Sequence, residues 1–262
     1  MNDFYASSKP MPLDQAHGLR RMFAGRRPVV LPLVANPFVA FGGVVLDRLA
    51  ALLSVGGKKV LVVDAAAASP PPHELAALDL AACIEAVSSG VFYLPAAGLP
   101  LRYVDTRGFA DGFIDALHRA APQAEVVLLH AEAQDLVRVF KRRAARPVLL
   151  GADHPDSIKH AYASAKLLAT RCSLMTFDLL LAAPPHSPRL ASIGQSLAGC
   201  AETFLGAAIC HAAVVDPAGD PHSEPDKPLA QLLAAQLSLD EAWAPAALPT
   251  TQPAPTARTA FR

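Results

Sequence analysis

The sequence predicts an α/β fold: a doubly wound, mostly parallel sheet flanked by helices in three layers. Three observations predict it. Apolar runs without alternation recur, as in VVLPLVA at 29–35 and VLVVDA at 60–65. Such runs mark strands buried on both faces. Segments with helical spacing separate them. The alternation then continues as far as residue 215, which is the rhythm of strand–helix–strand units.

Taken in order, residues 1–12 are expected to form a flexible leader. Residues 13–24, LDQAHGLRRMFA, place Leu13, Ala16, Leu19, Met22 and Phe23 on roughly one helical face. Asp14 stands near its start and Arg20 and Arg21 later, the order the helix dipole favours. Gly18 weakens this helix by up to about 1 kcal/mol, so it needs a partner surface. A strand at 29–35 follows, then a helix at 44–55 with Leu46, Leu49, Leu52 and Leu53 inward and Gly56 and Gly57 as its stop. The second strand is 60–65. A Pro-rich loop at 69–72 leads to a helix at 74–87 and a strand at 91–94. Next come a helix at 109–119, a strand at 125–129, a helix at 133–142 and a strand at 146–150. A helix at 156–170, a strand at 174–181, a helix at 190–205 and a strand at 207–215 complete the series. Beyond 215 the composition shifts. DPAGDPHSEPDKP reads as a linker, 229–239 as one short helix, and the Pro/Ala/Thr-rich end as a disordered tail. The expected organisation is a leader (1–12), an N-terminal segment (13–27), an α/β domain (28–215) and a linker with tail (216–262).

Composition narrows the function classes. Lys+Arg and Asp+Glu both number 23, which argues against a polybasic nucleic-acid binder. The run Lys141, Arg142, Arg143 and Arg146 is expected to form a solvated helix end. Cys83, Cys172, Cys200 and Cys210 are scattered with no CxxC spacing, so neither a zinc ribbon nor a disulfide framework is indicated. The nine histidines show no HxxxH or HExxH spacing, and no metal site is expected. No GxSxG nucleophile elbow is present. The first residues, MNDFYASSKP, lack an apolar h-region, so a cytoplasmic location is expected. The uncharged stretch at 29–46 has about the length of a membrane span, but Pro32, Asn36, Pro37, Gly42 and Gly43 interrupt it. It reads as two half-buried elements joined by a turn.

Four blocks in order carry a resemblance: DQAHGLRRM at 14–22, GKKVLVVDA at 57–65, GVFYLPAAG at 90–98 and HPDSIKHAYASAKLL at 154–168. Across residues 13–210 the chain resembles the MinD/ParA-like P-loop family, and within it the flagellar-number regulators of the FlhG or FleN group. The resemblance implies the MinD-like P-loop NTPase fold, ATP binding, and dimerisation around the nucleotide. It also implies that the DQAxxLR segment stimulates a signal-recognition-particle-type flagellar GTPase. The partner-binding residues it implies are Asp14, Gln15, Ala16, Leu19, Arg20 and Arg21. Basal-body C-ring proteins are further implied partners, and nucleic acid is not. Membrane contact is expected to be weak or indirect, because the C-terminal helix candidate has Lys227 before it and no other cation. Recruitment to the cell pole would then run through a partner.

The chain departs from that family at the phosphate loop. A loop of the form KGGVGKT brings glycine N–H groups, lysine charge and a Mg²⁺-binding hydroxyl to the phosphates. Counting back from Asp64, the corresponding residues are Pro37, Phe38, Val39, Ala40, Phe41, Gly42 and Gly43. Both lysines and the hydroxyl are gone. The second strand ends Asp64-Ala65-Ala66, without the family's second carboxylate, and His130 stands where a later strand usually ends in Asp. The expectation is therefore a pseudo-ATPase that takes neither ATP nor Mg²⁺, with Asp64 and His130 as residual positions of the nucleotide site. The alternatives are an ATPase with atypical nucleotide binding, or a cellulose-secretion or cell-division accessory protein of the same fold.

Overall fold

The computed structural model describes residues 27–184 and 186–243. The strands are β1 (Val29–Val34), β2 (Val60–Asp64), β3 (Glu85–Ala86), β4 (Val91–Pro95), β5 (Val126–Ala131), β6 (Val148–Ala152), β7 (Thr176–Ala182) and β8 (Ala208–Val215). The α-helices are α1 (Gly42–Val55), α2 (Asp111–Ala120), α3 (Ala133–Phe140), α4 (Pro155–Cys172), α5 (Leu190–Leu205) and α6 (Lys227–Trp243). The strands form one sheet in the order β3-β4-β2-β5-β1-β6-β7-β8. Every pairing is parallel except β3 with β4.

The apolar runs explain this architecture. Successive strand side chains point to opposite faces, so an unalternating strand needs cover on both. Leu31, Leu33, Val60, Val62 and Leu128 pack with Val45, Leu49 and Leu53 of α1 and with Leu229, Leu232 and Leu233 of α6. On the other face, Leu61, Val63, Leu129, Leu149 and Leu179 pack under α2, α3, α4 and α5 through Phe113, Leu136, Val139, Leu168 and Leu197. The three-layer, doubly wound arrangement follows.

Two expectations are corrected. The helix expected over 74–87 does not form. That stretch holds two 3₁₀ turns, Glu74–Ala77 and Ala81–Cys83, and then β3. The cause is local competition for backbone donors. Asp79 Oδ1 accepts from the N–H of Ala81 and Ala82 at 3.0 and 3.2 Å, and His73 Nδ1 accepts from Leu75 N–H at 3.2 Å. Leu78 is left exposed.

The domain also does not end at 215. Arg48 of α1 is buried and donates to the carbonyls of Asp220 and Pro221 at 3.0 and 2.6 Å, pinning the stretch that reads as a linker. Then α6 packs Leu229, Leu232 and Leu233 onto the sheet. Its buried Gln236 donates to Asp178 Oδ2 at 2.7 Å and to the Arg146 carbonyl at 2.9 Å. Asp178 is fully buried in β7, where Arg146 Nε (3.0 Å) and the His211 N–H (3.0 Å) also bond it. A buried carboxylate survives only when paired and hydrogen-bonded in this way. The helix expected at 13–24 lies outside the described residues.

Candidate functional site

The site is built where β1, β2 and β5 end, at the carboxyl edge of the sheet, which is where open α/β sheets place their ligands. The turn from β1 into α1 depends on Asn36. Its amide Nδ2 donates to the carbonyls of Leu150 and Ser157 at 2.8 and 2.9 Å and lies 3.0 Å from Ser157 Oγ. Ser157 Oγ in turn accepts from Ala152 N–H at 2.9 Å. One buried side chain thus ties the turn to the end of β6 and the first turn of α4.

Asn36 also takes up the loop's own donors. Its Oδ1 accepts from Phe38 N–H at 3.1 Å, and its carbonyl accepts from Val39 N–H at 3.0 Å. Pro37 has no N–H to offer. A phosphate nest needs consecutive backbone donors aimed outward. Here the amides of Phe38 and Val39 point into the turn. The side chains give no charge in exchange. Phe38 stacks on the His154 ring with centroids 6.2 Å apart and meets the His160 ring edge-on at 6.1 Å. Phe41, 60% exposed, occupies the N-cap position of α1 without a side-chain cap bond.

Gly42 and Gly43 open α1 with negative φ, and a Cβ on either would meet nothing within 4 Å. Neither glycine is needed for backbone freedom or for close approach of the chain to itself. Beside the loop lies an open groove of about 480 Å³ walled by Phe38, Phe41, Ala152, Ala182 and Pro184. The charged residue among its lining is an acid, Asp216. A nucleoside triphosphate needs cations and free donors at this place; the groove lining carries no Lys or Arg, while the first amides of α1 have no side-chain cap.

The second part of the site is a pair that spacing could not reveal. Asp64 and His130 are register partners on adjacent strands, and Asp64 Oδ1 lies 2.7 Å from His130 Nδ1. Both side chains are mostly buried. Burial pushes the Asp64 carboxyl upward. Hydrogen bonds from His130 and Ser69, the nearby His130 charge and the Ala66 amide more than offset it, and the carboxyl sits below its ordinary value. The pair does not make a nucleophilic triad, because that requires a hydroxyl bonded to the imidazole. Ser69 bonds the carboxylate instead. Among the described residues, no three of His, Cys, Asp and Glu gather as a metal-binding group.

The structure therefore brings Pro37–Gly43, Asp64 and His130 to one edge of the sheet. Asn36, Ser157 and Ser69, which hold that edge together, carry no sequence signal beyond the turn-forming Asn36-Pro37 pair. Asp14, Gln15, Ala16, Leu19, Arg20 and Arg21 lie outside the described residues. The basic run is engaged internally. Lys141 bonds the Arg171 carbonyl, Arg143 pairs with Asp115 at 3.1 Å, and Arg146 pairs with Asp178 at 3.0 Å. No described helix is long and apolar enough to cross a membrane.

No sequence-family model matches the chain, and no curated protein matches it. Solved structures do match in shape. A putative plasmid partition protein from Borrelia burgdorferi B31, bound to AMPPNP, superposes with a TM-score of 0.56 at 8% identity, over 82% of this chain and 100% of that one. Another plasmid partition protein from Borrelia burgdorferi gives 0.54 at 10% identity, over 80% and 100%. Apo McdA from Cyanthece gives 0.50 at 13% identity, over 80% and 96%. What is shared at these identities is the fold alone, a three-layer α/β arrangement.

Proposed function

We propose that this chain is a pseudo-ATPase of that fold which works by binding proteins, regulating flagellar placement or number. In this reading residues 13–27 engage a signal-recognition-particle-type flagellar GTPase and stimulate it, with Gln15 and its polar neighbours reaching the partner's active site. Stabilisation of an attacking water or of phosphate charge from outside is a known route to such activation. The observation that carries the reading is the loop at 35–43: the amides of Phe38 and Val39 are spent on Asn36, and phenylalanines stand where cations would. The α/β body then serves as a scaffold that presents the segment, and neither ATP nor Mg²⁺ takes part.

The test is GTP hydrolysis by the flagellar GTPase of the same cell, with the full chain added and with Gln15→Ala added. A several-fold rise that needs no ATP and is removed by the substitution supports the proposal. Stimulation that requires ATP favours the atypical ATPase, for which the uncapped start of α1 speaks. An absence of both binding and stimulation overturns the flagellar reading.

A further inference from the structure

The two edges of the sheet are built differently. At one, β3 has two residues, pairs antiparallel with β4 and carries Glu85. Short, charged edge strands of this kind discourage further pairing. At the other, β8 runs for eight residues, AICHAAVV, with no Lys, Arg, Asp, Glu or Pro. Among the described residues no strand pairs with its outer side. A bulge leaves Cys210 without a partner on β7, so the regular edge is 211–215. The Val215 carbonyl accepts from Ala183 N–H at 3.0 Å, which turns the main chain of Val215, and by alternation that of Ala213, towards the rest of the sheet. The N–H and C=O groups of Ala212 and Val214 therefore point outward.

These four groups define what can cover them. In an antiparallel pair, residues directly opposite each other exchange both bonds. A second β8 centred on Ala213 brings its Val214 opposite Ala212 and its Ala212 opposite Val214, and every outward group of both chains is used. The neighbouring layers fit the same two-fold axis. A continuous sheet sets α5 of the two copies side by side on one face, and helices packed about 8–10 Å apart need small side chains between them. The edge side of α5 offers Ala191, Gly194 and Ala198, which with Cys210 and Ala212 line a groove of about 450 Å³. Glu202 is the one charged residue of α5, and the axis sends its two copies to opposite ends of the seam. No like charges meet there. An edge about 27 Å long and about 25 Å through its three layers offers roughly 700 Å² per copy, within the range of stable interfaces. Residues 244–262 of the same chain are unsuited to this place, because Pro245, Pro249, Pro253 and Pro255 interrupt any run of donors. We propose that β8 is a dimerisation edge, joining two copies of this chain antiparallel about Ala213 into one continuous sheet. The proposal does not depend on the function inferred above.

The test weighs the full chain by light scattering across concentration and follows amide exchange by NMR. The expected result is a monomer–dimer equilibrium, with two chains per particle at about 100 μM. The amides of Ala212 and Val214 should exchange about tenfold more slowly in the dimer. Ala212→Pro removes an outward N–H and leaves the bonds to β7 in place, as Pro on an edge strand does. Ala212→Lys places at the seam a charge that the single chain can solvate. Both variants should be monomeric with circular dichroism unchanged, and if Ala212→Pro fails to fold, Ala212→Lys decides. A wild-type chain that stays monomeric overturns the proposal. So does a dimer that is indifferent to the folded variants or leaves Ala212 and Val214 unprotected, because it then uses another face.

Discussion

Asn36 does more for the site than any residue the loop motif singles out. Its amide satisfies two buried carbonyls, and its own oxygens satisfy two loop amides. Asn36→Ala is expected to lower stability by about 2–3 kcal/mol in urea unfolding, since several buried groups lose partners. Asn36→Asp should cost more, although nearly isosteric, because a carboxylate cannot donate to the Leu150 and Ser157 carbonyls. Asp64 yields a pH prediction. Its folded-state value is lowered, so its pairing with His130 stabilises the fold above the ordinary carboxylate range. That contribution fades as pH falls through the lowered value. Asp64→Asn is therefore expected to be less stable than wild type by about 1–3 kcal/mol at pH 7, with the gap closing as pH falls through that lowered value. Urea midpoints across that range measure it, and a gap that widens on acidification would contradict the assignment.

Elements owe their boundaries to such contacts. The start of α1 looks like the remains of a glycine loop, yet Gly42 and Gly43 have helical backbones and open space around them. Gly42→Ala and Gly43→Ala should each be neutral or stabilise the fold by about 0.4–1 kcal/mol, through the unfolded chain's lost freedom. A loop whose glycines cradle phosphate would not tolerate them. The stretch before α6 behaves as an element because Arg48 holds its carbonyls. Arg48→Leu preserves the apolar contact of the stem but removes the donors. It should speed hydrogen exchange at His222 and Leu229 while leaving β1 and β5 protected, which native-state exchange can read directly.

At the scale of the molecule, the sheet has two chemically different ends. The carboxyl edge holds the loop at 35–43, an apolar groove and the Asp64–His130 pair. The amino edge holds a cavity lined by Arg27, Arg143 and Arg146, with Arg27 leading back into the segment at 13–27. Nucleotide that binds the folded state must raise its stability by mass action, about 2.7 kcal/mol at a hundredfold excess over Kd. Millimolar ATP with Mg²⁺ is expected to leave the thermal midpoint of this chain unchanged. A reproducible rise, absent with Mg²⁺ alone, would show that the site still takes nucleotide.

The layered fold was legible in the chain because unalternating Val and Leu runs admit only burial on both faces. The absence of lysine and hydroxyl from 37–43 was equally legible, because side-chain chemistry is written residue by residue. Spatial pairing was not. Asp64 and His130 stand 66 positions apart and meet only because β2 and β5 are register neighbours. The competition that broke the expected helix at 74–87 came from Asp79 and His73, whose local bonds outweighed an apolar spacing that buries little beyond Ala76, Leu80 and Cys83. The place of α6 in the core was likewise a tertiary decision. A helix with so few charges earns its position only when a sheet face and a buried Asp178 stand ready to receive Leu232 and Gln236. The sequence determined which strands would be buried on both faces and which side chains stand at 37–43. The tertiary structure alone decided which distant polar groups would satisfy one another, because hydrogen bonding depends on positions that only packing defines.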